Sequence, residues 1–286
     1  MRTIKKLHKA TYAPIGDLVT YRALPTDSMP MTALDPFIFL NHHGPQTYPP
    51  HNQGLPFGPH PHRGFETVTF ILEGDIMHQD TGGFKSTIAA GGIQWMTAGS
   101  GLIHSEVSSE QFKRQGGPME ILQLWLNLPA KHKMAPPHYQ GLQRDQIPAL
   151  SLDEGRVQVN LVAGQWDNSP APITSLTDVQ LCWITFGAGG KLQTKVPAAH
   201  NIFLYVVRGE VKVNGQAVAR LHLAEFNHDG ENLDIQAVAD SLILFGHARP
   251  YQEPIIAYGP FVMNTEAEIH QAYADYQAGK FGVWRE

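Results

Sequence analysis

The 286-residue chain has a single cysteine, Cys182, so no intrachain disulfide can form. Flanked by Leu181, Trp183 and Ile184, that thiol reads as a buried strand residue rather than a nucleophile. Clustered positive charge is also missing. Net charge is −5 and no Lys/Arg cluster extends beyond Lys5–Lys6, which removes the electrostatic footprint of a nucleic-acid binder. The longest apolar runs, such as Ile202–Val207, fall far short of the ~18–20 residues that span a bilayer. The N-terminus carries positive charge with no apolar stretch behind it, so it does not read as a secretory signal. Together these absences point to the cytoplasm.

The chain is rich in turn formers and short strands. Its 27 glycines and 21 prolines are spread throughout, the mark of many tight turns rather than of low complexity. Strand-like runs cover Phe37–Leu40, Thr67–Leu72, Gly92–Met96, Ile121–Leu128, Val157–Val162, Leu181–Phe186, Ile202–Val207, Glu210–Val213 and Leu242–Phe245. This spacing predicts an all-β protein of the sandwich or barrel type. The stretches Thr67–Gly74 and Ile202–Gly209 share one form, an apolar strand closing on a charged residue and glycine, half a chain apart. Two similar β-domains follow. The pattern breaks between Pro129 and Tyr139, which predicts an N-terminal domain over residues 1–132 and a C-terminal one over 133–286. One helix is expected near the C-terminus: Thr265-Glu-Ala-Glu268 has capping-box form, Ile269, Ala272, Tyr273 and Tyr276 form a stripe, and Gly279 supplies a stop.

Among 15 histidines, a few have telling spacing. His60-Pro-His62 places two imidazoles at i and i+2, which point the same way in an extended chain. Pro61 between them disfavours a helix and suits an edge strand. His104-Ser-Glu106 repeats the spacing with an imidazole and a carboxylate. On adjacent strands of a small barrel the two pairs would converge, giving three histidines and one carboxylate on one side of a metal. Such a set leaves two octahedral positions open, as redox-active non-haem iron sites do, whereas structural zinc favours thiolates in a closed tetrahedron. His42-His43 reads as a surface loop, because adjacent histidines point apart. His78 and Asp80 read as either pocket lining or a cross-strand hydrogen bond. Gln94, Trp95, Gln123 and Trp125 are candidates to line a pocket, the two tryptophans fitting the core better.

The first segment resembles the cupin first motif through Gly54, His60, His62, Glu66 and Gly74. The run His60–Val68, with Gln94–Gly99 and Gly259–Asn264, is similar to the pirin family, over about residues 35–282. The resemblance implies a bicupin: two antiparallel, jelly-roll-like β-barrel domains with a C-terminal helix. It implies one divalent transition-metal ion, Fe(II) first among Mn, Ni, Cu and Zn, held by His60, His62, His104 and Glu106. Glu66 occupies the usual cupin glutamate position, but in pirins the carboxylate comes from the second motif, so Glu66 is left as a hydrogen-bonding neighbour. The C-terminal half lacks a site: Lys195 and Pro197 align with His60 and His62, Ile235 and Ala237 with His104 and Glu106, and His200 stands alone.

By resemblance to bacterial pirins the activity is that of a quercetin 2,3-dioxygenase, opening a flavonol ring with O2, with Glu106 as the catalytic group that takes the substrate proton. The substrate would be a flavonol or another enol or polyphenol. Eukaryotic pirins suggest an alternative, a metal- and redox-sensing regulator that binds a protein partner without turnover. Direct contact with nucleic acid or membrane is not expected.

Overall fold

The computed structural model describes residues 1–285, and all of the sequence-derived strand runs lie within strands or their immediate ends. None of the described helices is long and apolar enough to cross a membrane. The chain forms two compact units, each a cupin of two antiparallel sheets.

The unit that carries the histidine pairs comprises residues 12–22, 38–144 and 251 onward. Its larger sheet runs in the order His138–Leu142, Ile93–Thr97, Phe65–Glu73, Gly117–Asn127, Phe37–Tyr48, Thr20–Leu24, Thr11–Tyr12. Its smaller sheet runs Phe57–His62, Leu102–Val107, Asp75–Asp80, Lys85–Ala89. The pairing of Thr69 with Gln123 and of Ile71 with Ile121 sets the interior face of the larger sheet, because side chains alternate along a strand. That interior is layered. Ile71, Ile76, Ile88 and Ile121 form an apolar plug at one end, Thr69 and Gln123 form a polar row above it, and Trp125 follows two residues further along.

The second unit comprises residues 1–11, 23–37 and 145–250. Ile4–Lys9 is the edge strand of its larger sheet, paired antiparallel with His222–Phe226. Its interior is apolar throughout: Ile202, Leu204, Val206, Ile235, Ile243 and Phe245 are all buried in one cluster with Cys182. Burial pushes the Cys182 thiol pKa up, which suits the inert strand residue expected from sequence.

A single cut near residue 132 therefore does not separate the units. The first strand belongs with the C-terminal half, and the segment from Tyr251 belongs with the histidine pairs. Its helix, Glu266–Gln277, has the expected capping box: Thr265 accepts from the Glu268 amide while the Glu268 carboxylate accepts from the Thr265 amide. Ile269 and Ala272 turn its buried stripe onto Phe261, Met263 and Phe281.

Candidate metal centre

The two motif strands, Phe57–His62 and Leu102–Val107, are hydrogen-bonded neighbours, with His104 opposite His60 and Leu102 opposite His62. The register thus brings three imidazoles to one face. Their ligand nitrogens lie within 4.8 Å of one another. Among the described residues no other group of three His, Cys, Asp or Glu side chains is gathered this closely.

Hydrogen bonding decides which ring atoms remain free. His60 Nδ1 lies 2.7 Å from the Gly58 carbonyl, and His62 Nδ1 lies 3.2 Å from the Pro260 carbonyl. A carbonyl can only accept, so each Nδ1 donates and each Nε2 keeps its lone pair. His104 is fully buried, and neither of its ring nitrogens has a hydrogen-bond partner. An orphaned buried imidazole costs free energy unless something fills the gap, and a metal ion does so. Burial, reinforced by the neighbouring imidazoles, lowers the His62 pKa to about 3 and holds His104 well below the usual range. Both rings are neutral at pH 7, the form in which imidazole ligates metal. The donor set therefore fits a divalent transition metal.

Glu106 stands two residues beyond His104, buried and on the same face. It is not drawn into the three-histidine group. Its Oε1 accepts from Thr69 Oγ1 at 2.8 Å and its Oε2 from Gln123 Nε2 at 3.2 Å. Glu66 lies on the opposite face of its strand from Thr67 and Thr69, with its carboxylate on Thr97 Oγ1 at 2.7 Å.

A cavity of about 160 Å³ opens onto His60, His62 and Glu106. Phe39, Phe57 and Trp125 give it apolar walls, while Asn41, His43 and Gln123 supply polar edges. Phe39 and Trp125 stack with centroids 4.3 Å apart, and the Arg22 guanidinium lies 4.3 Å from the centroid of the Phe39 ring. Trp125 thus lines the cavity, whereas Trp95 is core, 2% exposed.

The expectation of a surface loop at His42-His43 is overturned. Both residues lie inside the strand Phe37–Tyr48 and are buried. They do point to opposite faces, but each face has a partner: His42 Nε2 meets Glu120 at 2.9 Å and His43 Nδ1 meets Thr20 Oγ1 at 2.8 Å. His43 was therefore missed as a cavity residue, and Asn41 and Phe39 with it. Their signal was alternation running through Phe39, Asn41 and His43, hidden by Gly44-Pro45. His78 pairs with Asp80 of its own strand (2.8 Å) and stacks on Tyr139 with centroids 3.9 Å apart.

Residues after Tyr251 complete the centre. Besides the Pro260 carbonyl on His62, Arg63 is pinned by Ser100 O (2.7 Å) and by Asp275 Oδ2 (2.9 Å). Two glycines admit this segment: a Cβ on Gly64 would lie 2.0 Å from Val262 O, and one on Gly101 would lie 2.5 Å from the Phe281 ring. Lys133, 1% exposed, donates from Nζ to Gly64 O, Asn127 Oδ1 and Val262 O at 2.9, 2.7 and 3.0 Å.

The other unit has no such centre. Pairing Ile235 with Val213 and Leu233 with Thr194 sets Leu233 and Ile235 in the places of His104 and Glu106, and Thr194 and Val196 in those of His60 and His62. This register shifts the sequence alignment by one or two residues and still supplies no ligand. His200 is not alone: its Nδ1 lies 3.1 Å from His247 Nδ1.

Comparison with known proteins agrees with this architecture. The chain is 36% identical over 268 residues to a Pseudomonas aeruginosa protein provisionally named a quercetin 2,3-dioxygenase, covering 94% of this chain and 92% of that one. The crystal structure of a quercetin 2,3-dioxygenase from Acinetobacter baumannii superposes with a TM-score of 0.93 at 34% identity, over 99% of both chains. A bacterial pirin from Escherichia coli in complex with nickel(II) shares the fold at 22% identity and a TM-score of 0.68, covering 86% of this chain and 99% of that one. The pirin family model matches residues 18–126 and the pirin C-terminal cupin model residues 182–282, and on these matches the chain belongs to the pirin family.

Proposed function

We propose that this chain is a metal-dependent oxidoreductase that uses O2 to open the ring of quercetin or a related enol or polyphenol. His60, His62 and His104 hold the ion, and Glu106 is its fourth protein ligand. Fe(II) is the resident ion we assign, on a donor set of imidazoles and carboxylate with no thiolate; Mn, Ni, Cu and Zn suit the same donors. The observation that carries the reading is the gathering of three imidazoles beside an aromatic-walled cavity that His60, His62 and the Glu106 carboxylate all line. The names of the relatives support it.

The ion supplies Lewis acidity toward an enolic oxygen and one-electron chemistry toward O2. The remaining work falls to the protein. Trp125 and Phe39, stacked on each other, line an apolar wall against which an aromatic ring packs, and that wall keeps bulk water from the reacting atoms. A cavity of about 160 Å³ is smaller than the ~300–1,000 Å³ that encloses a drug-sized ligand. A flavonol therefore presents its 3-hydroxyl edge inward and leaves the remainder at the mouth. Glu106 reaches the cavity and holds the proton released by that hydroxyl.

Oxygen uptake by apoprotein loaded anaerobically with Fe(II), Mn(II), Ni(II) or Cu(II), with and without quercetin, tests the reading. Substrate-dependent uptake above the free-metal control is expected with at least one ion, and its absence with all four refutes turnover in favour of a binding role. Glu106→Ala should weaken metal binding strongly, while Glu66→Ala loses ~10–100-fold at most. The reverse order in a chelator competition removes Glu106 from the ligand set.

A further inference from the structure

Thr69, fully buried, and Gln123, half-buried at the cavity edge, form a polar row for which the fold itself has no need. The turn glycines Gly74 and Gly209 align the two halves, and strand pairing carries the match across both sheets. Thr69 then corresponds to Leu204, its partner Gln123 to Phe245, and Glu106 to Ile235. In the second unit these three positions are plain apolar core. A polar triangle in the same place costs desolvation that a leucine, a phenylalanine and an isoleucine avoid.

Both donors of the triangle reach Glu106, the single Thr69 hydroxyl proton going to the carboxylate, the stronger of its two acceptors. Thr69 Oγ1 lies 2.8 Å from Glu106 Oε1 and 2.9 Å from Gln123 Oε1, and Gln123 Nε2 lies 3.2 Å from Glu106 Oε2. Thr69 is fully buried. Both carboxylate oxygens are thereby engaged by protein donors, while Glu106 stays outside the histidine group. Each donor stabilises the carboxylate where it stands and so competes with any ion for it.

We propose that Thr69 and Gln123 are positioning residues that hold Glu106 only loosely committed to the metal, leaving its carboxylate free to receive the substrate proton. This inference rests on the metal-dependent reading above, with Glu106 as ligand and proton acceptor. It predicts effects of opposite sign. Without the donors the carboxylate turns to the ion, so metal is held more tightly while turnover falls. An ordinary supporting role would weaken both together.

The test uses the full chain as Thr69→Val, Gln123→Met and the double variant, with Thr69→Ser as the conservative control. Nickel(II) affinity of the apoprotein is measured by chelator competition and, separately, quercetin-dependent O2 uptake by the loaded protein. Nickel affinity should rise about fivefold for each donor removed, in line with one net hydrogen bond, with uptake falling about tenfold or more. Thr69→Ser should restore both. Unchanged or weaker nickel binding in both single variants overturns the proposal. If the wild-type protein shows no substrate-dependent uptake, the functional reading fails, and the nickel measurements alone still decide whether the pair holds the carboxylate back.

Discussion

Lys133 is the side chain whose loss should be felt most widely. Its buried ammonium donates to Gly64 O, Asn127 Oδ1 and Val262 O, tying the end of the first motif to the Gly117–Asn127 strand and to the segment after Tyr251. Lys133→Met keeps the length of the stem and removes all three donors. Hydrogen bonds to a charged group contribute about 1.5–3 kcal/mol each, so the gross loss is roughly 4.5–9 kcal/mol. Relief from burying an ammonium offsets several kcal/mol of this. A net destabilisation of about 3 kcal/mol is expected, or a fall of about 6–12 °C in the melting midpoint of the metal-free protein. The exposed neighbour Lys131 serves as control, since Lys131→Met should stay within about 0.5 kcal/mol of wild type. Thermal unfolding followed by near-ultraviolet circular dichroism reads both variants. A Lys133→Met protein as stable as Lys131→Met would refute the reasoning.

Two further outcomes follow from the same structure. Because only one unit gathers three imidazoles, metal analysis should find about one transition-metal ion per chain, lost in the His60→Ala, His62→Ala double variant; two tightly held ions, one surviving that change, would contradict it. The second concerns pH. Burial first, then neighbouring charges, lowers His43 and His62 to about 3, so the folded metal-free protein keeps them neutral while the unfolded chain protonates near the ordinary ~6.5. Unfolded chains thus bind more protons below that point. Stability is full above pH ~6.5 and falls as pH drops toward ~3, by up to about 1.4 kcal/mol per pH unit for each imidazole. Urea midpoints between pH 7.5 and 5 measure the slope, which His43→Gln should make shallower by about one proton; a midpoint that holds steady or rises on acidification would contradict the assignment.

What could be read from sequence was local. An i/i+2 pair needs only an extended backbone to face one way, so His60, His62, His104 and Glu106 stood out without knowledge of their neighbours. The layered interior was half visible, since Thr67, Thr69 and Ile71 alternate with the apolar residues of the same strand. What could not be read depends on distant partners. His42 and His43 look like a loop until Glu120 and Thr20, each far along the chain, arrive to take their nitrogens. Pro260 is 198 residues from the histidine it orients, and a backbone carbonyl leaves no mark in the residue types. The exchange of terminal segments is likewise silent, because an edge strand such as Ile4–Lys9 reads the same whichever sheet it joins.

That exchange sets an order of assembly during synthesis. A ribosome releases His60, His62, His104 and Glu106 at least about 150 residues before Pro260, Asp275 and Phe281, which at ~5–20 residues per second is a wait of roughly eight to thirty seconds or more. For that interval the histidine strands exist without the carbonyl that fixes the His62 tautomer and without the ring that fills the hollow at Gly101. Ile4–Lys9 waits longer still for His222–Phe226. Neither half of the newly made chain can finish alone, so on the proposed reading metal loading should follow release of the polypeptide, and a translation product stopped short of residue 260 should emerge with the histidines in place and no lasting hold on an ion.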